Sequence, residues 1–321
     1  NCEGGLVLNR SSFLMKPGEA LVLENFEPDV EGGYRRMNGF RKFVNQIVPQ
    51  TSSASEKIIG VANFANKVIA CRGEKIFNAG STELSVAIPL NQSMTGSGTI
   101  QVISVAGFAA SGTLQINDEI FTYTGISAAV RPNEFTGVTR ETSATNAALH
   151  FGGVTVSSTW TQLDTGRTNA VKYRFERFNY NGTDKILFVD ETNAPVVFDS
   201  SFNAVDISNA AVAGSKFIAS FKDHMFFAGK STTPQELVFS EGFNEDGFSA
   251  SATQPAGSIK VDDTITGLKV FRDSLFIFCE NRIFKLTGVS SSTFAVTPVT
   301  RRIGCINGDT IQEFAGDLVF L

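Results

Sequence analysis

The sequence predicts an all-β protein built as a β-propeller. Three observations predict it. A short strand, a tight turn and an apolar strand recur as a unit five times along the chain. The spacing of that unit is close to the length of one four-stranded blade, roughly 40 to 50 residues. The composition, with 29 Phe and 29 Gly among 321 residues and no long Ala/Glu/Lys/Leu periodicity, suits strands and turns rather than helices.

The fullest copy of the unit runs from Gly267 to Leu286. Leu268, Val270 and Phe271 lead through Arg272-Asp273-Ser274 into Leu275–Cys279, a continuous apolar run fit for a strand buried on both faces. Glu280-Asn281 is a polar turn, and Ile283–Leu286 returns as a further strand. The same order recurs at Val61–Phe64 with Val68–Cys71 and Ile76-Phe77. It recurs at Arg177-Phe178 with Ile186–Val189 and Val196–Phe198, and at Phe217–Phe221 with Met225–Ala228. A last copy is Ile311–Phe314 with Leu318–Leu321. With the aromatic before each turn as the register mark, Phe64, Phe178, Phe221, Phe271 and Phe314 lie 114, 43, 50 and 43 residues apart. A lone four-stranded sheet with two apolar faces cannot bury both, whereas radial stacking covers each sheet with its neighbour.

The long first interval predicts an insertion. After the strands at 57–80 the texture changes: Thr113–Ile116 and Glu119–Thr124 read as a hairpin around Asn117-Asp118, followed by Phe135–Arg140 and His150–Val156. Residues 92–157 are therefore expected to form an inserted β domain, and Trp160–Leu163 to resume the first blade as its outer strand. The expected organisation is a loop-rich segment over 1–56, a propeller over 57–91 and 158–321, and the insertion between. Later blades fall at roughly 171–210, 214–262 and 265–300, with a fifth begun at 303. The sequence stops at Leu321 inside a strand of that fifth unit, so the polypeptide is expected to continue.

Charge and cysteines narrow the chemistry. The net charge of −5 gives the molecule as a whole no electrostatic pull on nucleic acid. Cys2, Cys71, Cys279 and Cys305 are far apart, without metal-ligand spacing, and are expected to be reduced, with Cys71 and Cys279 at similar strand ends of two repeats. His150 and His224 have no nearby Cys or second His to build a zinc site, and His224 is expected in a turn. The paired acids Asp118-Glu119, Glu245-Asp246 and Asp262-Asp263 could serve glycoside hydrolysis, but each reads more simply as a turn or a solvated edge. Asn244–Gly247 comes closest to a calcium loop and lacks its alternating carboxylates. No cofactor, no metal and no enzymatic activity are expected. The most basic cluster, Arg35, Arg36, Arg41 and Lys42, reads either as a solvated face paired with Glu27, Asp29 and Glu31 or as a contact with an acidic neighbouring subunit.

The opening segment carries a family resemblance. Gly4-Gly5-Leu6, Pro17–Ala20, Leu23–Phe26, Gly32–Arg36 and Gly39-Phe40 follow one another in an order similar to the start of tail nozzle and packaged-DNA stabilisation proteins of short-tailed phages. In that family such a segment precedes a β-propeller. Residues 92–157 likewise resemble a small β module of phage tail and fibre proteins, through Tyr123-Thr124-Gly125, Gly137–Arg140 and His150. The resemblance implies a virion structural protein of the tail. Copies would assemble as a ring at its distal end, contacting adaptor and fibre proteins and the host envelope. The ring would conduct and retain genome DNA without sequence-specific binding. The alternatives are a receptor-binding or fibre-attachment protein, and a propeller enzyme acting on glycans.

Overall fold

A computed structural model of the chain describes residues 5–6, 19–20, 26–28, 34–36, 56–128, 133–140, 142–143, 145–168 and 170–321. The chain divides into two compact units, residues 1–45 and 46–321. In the first, β1 (Gly5–Leu6) pairs in parallel with β2 (Glu19–Ala20). There β3 (Phe26–Pro28) pairs antiparallel with β4 (Tyr34–Arg36), with Glu27 opposite Arg35.

The second unit is a series of antiparallel four-stranded sheets. The first contains β5 (Ile58–Phe64), β6 (Lys67–Arg72) and β7 (Lys75–Glu83). Six strands follow before it is completed: β8 (Thr95–Val102), β9 (Gly112–Ile116), β10 (Glu119–Tyr123), β11 (Gly125–Ser127), β12 (Asn133–Thr139) and β13 (Thr155–Ser158). Then β14 (Thr161–Asp164) pairs with β7 as the fourth strand. The second sheet is β15 (Arg174–Tyr180), β16 (Thr183–Val189), β17 (Val196–Asp199) and β18 (Ala204–Asp206). The third is β19 (Phe217–Phe221), β20 (His224–Ala228), β21 (Glu236–Phe239) and β22 (Gly257–Lys260). The fourth is β23 (Ile265–Phe271), β24 (Ser274–Cys279), β25 (Ile283–Thr287) and β26 (Ala295–Thr300). A 3-10 turn at Gly308–Thr310 precedes a hairpin of β27 (Gln312–Phe314) and β28 (Asp317–Val319). Among the described residues there is no α-helix.

Each later sheet runs in simple chain order, and the first strands lie side by side, β15 against β19 and β19 against β23. The faces pack in the way radial stacking requires. Ile186 and Phe188 of β16 pack with Ile69, Cys71 and Ile76 of the first sheet. The alternate residues Leu187 and Val189 pack with Met225 and Phe227 of the third. Phe226 and Ala228, on the other face of β20, pack with Leu275, Ile277 and Cys279 of the fourth. Phe278 in turn meets Cys305, Ile311 and Phe320 beyond it. The period of two in each middle strand sends successive side chains into opposite seams, so both faces are apolar. The architecture is an all-β propeller.

The repeat is most regular at its first turn. Phe64, Tyr180, Phe221, Phe271 and Phe314 each pair with the residue three positions on, across two central residues. All five central pairs have positive φ: Ala65-Asn66, Asn181-Gly182, Lys222-Asp223, Arg272-Asp273 and Ala315-Gly316. This is the type I′ hairpin, whose twist matches that of the strands it joins. One expectation is corrected here. The second unit's register mark is Tyr180 rather than Phe178, because the turn is Asn181-Gly182 and the strand runs two residues further. The marks are not uniformly buried: Phe64 and Phe221 are, Phe271 is half-buried, and Phe314 is 72% exposed on the terminal hairpin.

The first and fourth sheets share a second device. Their first strands are interrupted after Ile58 and Ile265, each just before a glycine. A Cβ on Gly60 would stand 2.6 Å from Tyr173 Cβ, and one on Gly267 would stand 2.5 Å from Ile311 Cδ1. Both glycines make room for the segment leading into the next unit. The same register shows that Cys71 pairs with Gly60 while Phe278, not Cys279, pairs with Gly267. The two cysteines are therefore offset by one residue and point into different seams.

Strands β8–β13 interrupt the first sheet between its third and fourth strands. Nine-residue β7 serves both parts: Ile76–Asn78 pair with β14, and Ser81–Glu83 pair with β13. The segment has its own core, around Phe121, Phe135, Leu114 and Val156. That core takes in Leu84 and Ile88, so its packing starts before residue 92. Its ends meet, since Leu84 N donates to Val154 O at 2.9 Å.

Two outcomes are expected. Asn181→Val puts a β-branched residue at φ 56° and should lower stability to urea by about 1–2 kcal/mol, with Asn181→Gly near neutral. Equal stability of the valine variant would count against the left-handed turn. Replacement of residues 85–153 by a short Gly/Ser link should leave a folded four-stranded first sheet, checked by circular dichroism and a cooperative melt. Loss of soluble folded protein would show that the inserted strands are part of the propeller's core.

Candidate functional site

The basic cluster singled out above falls where little is described. Arg35 and Arg36 lie on β4, with Arg35 opposite Glu27. Arg41 and Lys42 lie outside the described residues.

The inserted strands hold a buried polar cluster on Glu119, the first residue after the Asn117-Asp118 turn. Arg140 approaches it with both ends of its fork, Nε to Oε1 and an Nη to Oε2, each at 2.8 Å. His150 Nε2 lies 2.8 Å from the same Oε2, which also accepts from Ala148 N at 2.9 Å. Asn117 Nδ2 donates to His150 Nδ1 at 3.0 Å, so the ring proton sits on Nε2 and faces the carboxylate. Arg140 spends its remaining donors on the carbonyls of Pro89, Gln92 and Ala148. Burial alone would raise the Glu119 carboxyl, but Arg140, His150 and the Ala148 amide outweigh it and hold it below the usual range. Every polar end is occupied and no open face remains, so the cluster ties four loops together rather than offering a reaction centre.

Most of the other candidate groups are also engaged, Asp246 being exposed. His224 is not in the turn: it is the first residue of β20, fully buried, with Nδ1 2.6 Å from Ser240 O. Phe226, Phe239 and Phe294 surround its ring. Glu245 takes Lys185 at 2.5 Å. Asp262 pairs with Arg282, and Asp263 accepts from the amides of Thr264 and Asn281. Cys71, Cys279 and Cys305 are buried free thiols, and burial pushes Cys279 up to about 12, so it is no ready nucleophile. Among the described residues no group of three His, Cys, Asp or Glu could hold a metal ion.

Sequence reasoning missed two charged clusters. Arg167, between the first two sheets, is buried against three carboxylates: Asp164 at 2.5 Å, Asp206 at 3.0 Å and Asp190 at 3.2 Å. It also donates to Ala194 O. Near the first strands, Asp309 takes Lys172 at 2.6 Å and Arg174 at 3.2 Å, and Arg174 also takes Glu191. Burial works against the Asp309 charge, but Lys172 and Arg174 keep its carboxyl below the usual aspartate range. Further along, burial pushes the Glu176 carboxyl up, against the Ser220 amide and Lys269. Most of these partners are far apart in sequence, from 17 residues for Arg174 and Glu191 to 135 for Arg174 and Asp309, and they follow no regular spacing that a sequence pattern would show.

A polar cleft of about 580 Å³ opens beside the first hairpin. It lies between the first hairpin of the first sheet (Asn63–Val68), the inserted segment (Ser104, Ala106) and the second sheet (Arg177, Asp184). Phe64, one of its lining residues, meets Phe202 edge to face at 5.8 Å. The Arg177 guanidinium lies 5.7 Å from the Phe64 ring centre, and Lys67 Nζ lies 5.0 Å from that of Phe202. Burial lowers the Lys67 pKa. The wall formed by the insertion is held close: a Cβ on Gly107, at φ 85°, would come within 2.6 Å of Asn66 O.

No protein-family model and no curated protein matches the sequence. Among solved structures, the chain is similar to Kluyveromyces lactis Hsv2p, at 7% identity and a TM-score of 0.30, over 78% of this chain and 67% of that one. It is similar to Saccharomyces cerevisiae Sqt1 at 10% identity and a TM-score of 0.29, over 83% and 90%. Neither likeness bears on function.

Glu119→Gln should cost about 3–5 kcal/mol, because it leaves the buried Arg140 without its counter-charge. The folded carboxyl titrates below the ordinary glutamate value of about 4.3. Its stabilisation is therefore fully present above that value and is lost as pH falls through the folded one. Denaturation at pH 7 and pH 2.5 should show a larger loss for the parent than for Glu119→Gln. Equal losses would remove Glu119 as the source.

Proposed function

We propose that this protein is a structural component of a phage tail, assembling as a ring of copies at the distal end that conducts and retains the genome. The observation that carries the reading is the order of parts. A segment over residues 4–43 similar to the opening of tail nozzle and packaged-DNA stabilisation proteins precedes a propeller, and a β module interrupts the propeller's first sheet. In this reading the role is mechanical rather than catalytic. In support, Glu119 and both histidines are committed to packing, as at Glu119–Arg140–His150 and His224–Ser240. A wall of net charge −5 would let DNA pass without holding it. Subunit contacts through Arg35, Arg36, Arg41 and Lys42 belong to the same proposal, as do adaptor and fibre partners.

Electron microscopy tests it. The purified protein should form rings, and antibody against it should mark the distal tail of virions that carry it. Monomers at all concentrations with label along the fibres would favour an attachment role instead.

A further inference from the structure

We propose that the cleft between the first two blades and the inserted strands binds an acidic saccharide, with Arg177 and Lys67 meeting its anionic group. The inference does not depend on the assembly proposed above.

The charges come first. Arg177 is exposed and Lys67 is half-buried, and both line the cleft. Each lies over an aromatic ring, and the two rings meet edge to face, so the cations are tied to adjoining rings. Neither side chain makes an ion pair or a hydrogen bond with any described residue, whereas neighbouring Lys185 is spent on Glu245. Asp184 is the one carboxylate in the lining, and its Oδ1 already accepts from Asn179 Nδ2 at 2.7 Å. Two cations beside a single, partly satisfied carboxylate leave room for one more negative charge.

The ligand class follows from the rest of the lining. A guanidinium fork and an ammonium suit a carboxylate or phosphate oxygen pair. Around them the cleft offers the hydroxyls of Ser81, Ser104 and Ser200 and the amides of Asn63 and Asn66. Such groups both donate and accept, as sugar hydroxyls require. A volume of about 580 Å³ fits one or two sugar rings. A nucleic-acid backbone is a poorer match: it needs a track of cations, and here Asp184 and a net charge of −5 would repel repeated phosphates. The Gly107–Asn66 approach fixes the far wall, so the cleft needs little ordering to receive a ligand.

The test is titration of the whole chain, by calorimetry or NMR, with a galacturonic acid disaccharide. The neutral galactose disaccharide and a 12-base-pair DNA duplex serve as comparisons. The acidic disaccharide should bind at least about tenfold more tightly than the neutral one. Lys67→Gln with Arg177→Gln should erase that difference, and Asp184→Asn should enlarge it, with unchanged melting temperatures. Should the double variant fail to fold, Arg177→Gln alone decides, since that side chain is exposed. No binding at millimolar concentration, equal binding of both disaccharides, binding insensitive to these variants, or tighter binding of the duplex would each overturn the proposal.

Discussion

The structure depends on one constraint: a four-stranded sheet with two apolar faces is stable only when both are covered. The middle strands state this most plainly. Phe188 and Leu187 are adjacent and equally buried, yet one serves the seam with the first sheet and the other the seam with the third. Burying a large apolar side chain stabilises by roughly 1.5–3 kcal/mol, and each seam gathers about ten of them. No sheet could retain that energy alone. The stability of one blade is therefore a property of its neighbours, which is the nearest-neighbour logic of repeat proteins.

Polar residues inside such seams must be satisfied, and the solutions differ by place. Arg167 lies between two sheets and is met by three carboxylates from both of them. A guanidinium can engage several acceptors in one plane, which makes it suited to a junction where chain segments converge. Glu119 plays the reverse part in the inserted strands, where one carboxylate collects Arg140, His150 and a backbone amide. His224 is one exception, with Nδ1 paired and Nε2 left without a hydrogen bond among phenylalanines, and Asn78 Oδ1 and Gln115 Oε1 are others. Buried charge networks are costly to break rather than intrinsically stabilising, so they fix which segments meet.

Much of the fold could be read from the residues, because its signals are local. The aromatic before a two-residue turn, followed by four or five apolar residues, marks a hairpin by composition alone. Where two aromatics compete, at Phe178 and Tyr180, the turn chemistry of Asn181-Gly182 decides, and weighing it would have set the register correctly. Arg140 and His150 were legible as marks of the insertion, but not their meeting on Glu119. The cleft was not legible at all. Its cations, Lys67 and Arg177, are 110 residues apart, and each reads alone as an ordinary surface charge.

That cleft is a consequence of where the insertion occurs. Hairpin tips and blade edges are convex, and a bare propeller rim offers few enclosed sites. Here the chain leaves the first sheet along the second half of β7 and returns through β13, so the inserted strands stand beside the first hairpin instead of beyond the outer edge. Ser104 and Ala106 then face Asn66 and Lys67, and a convex turn becomes one wall of a concave site. The type I′ geometry adds to this, because Ala65 and Asn66 at positive φ bring the chain round tightly at the end of β5, where Phe64 and Lys67 pair directly. A rigid turn, a docked insertion and a neighbouring blade thus converge on the same few side chains. Binding sites arise where irregular segments meet on a rigid scaffold, and in this chain the insertion supplies the segment that the regular blades lack.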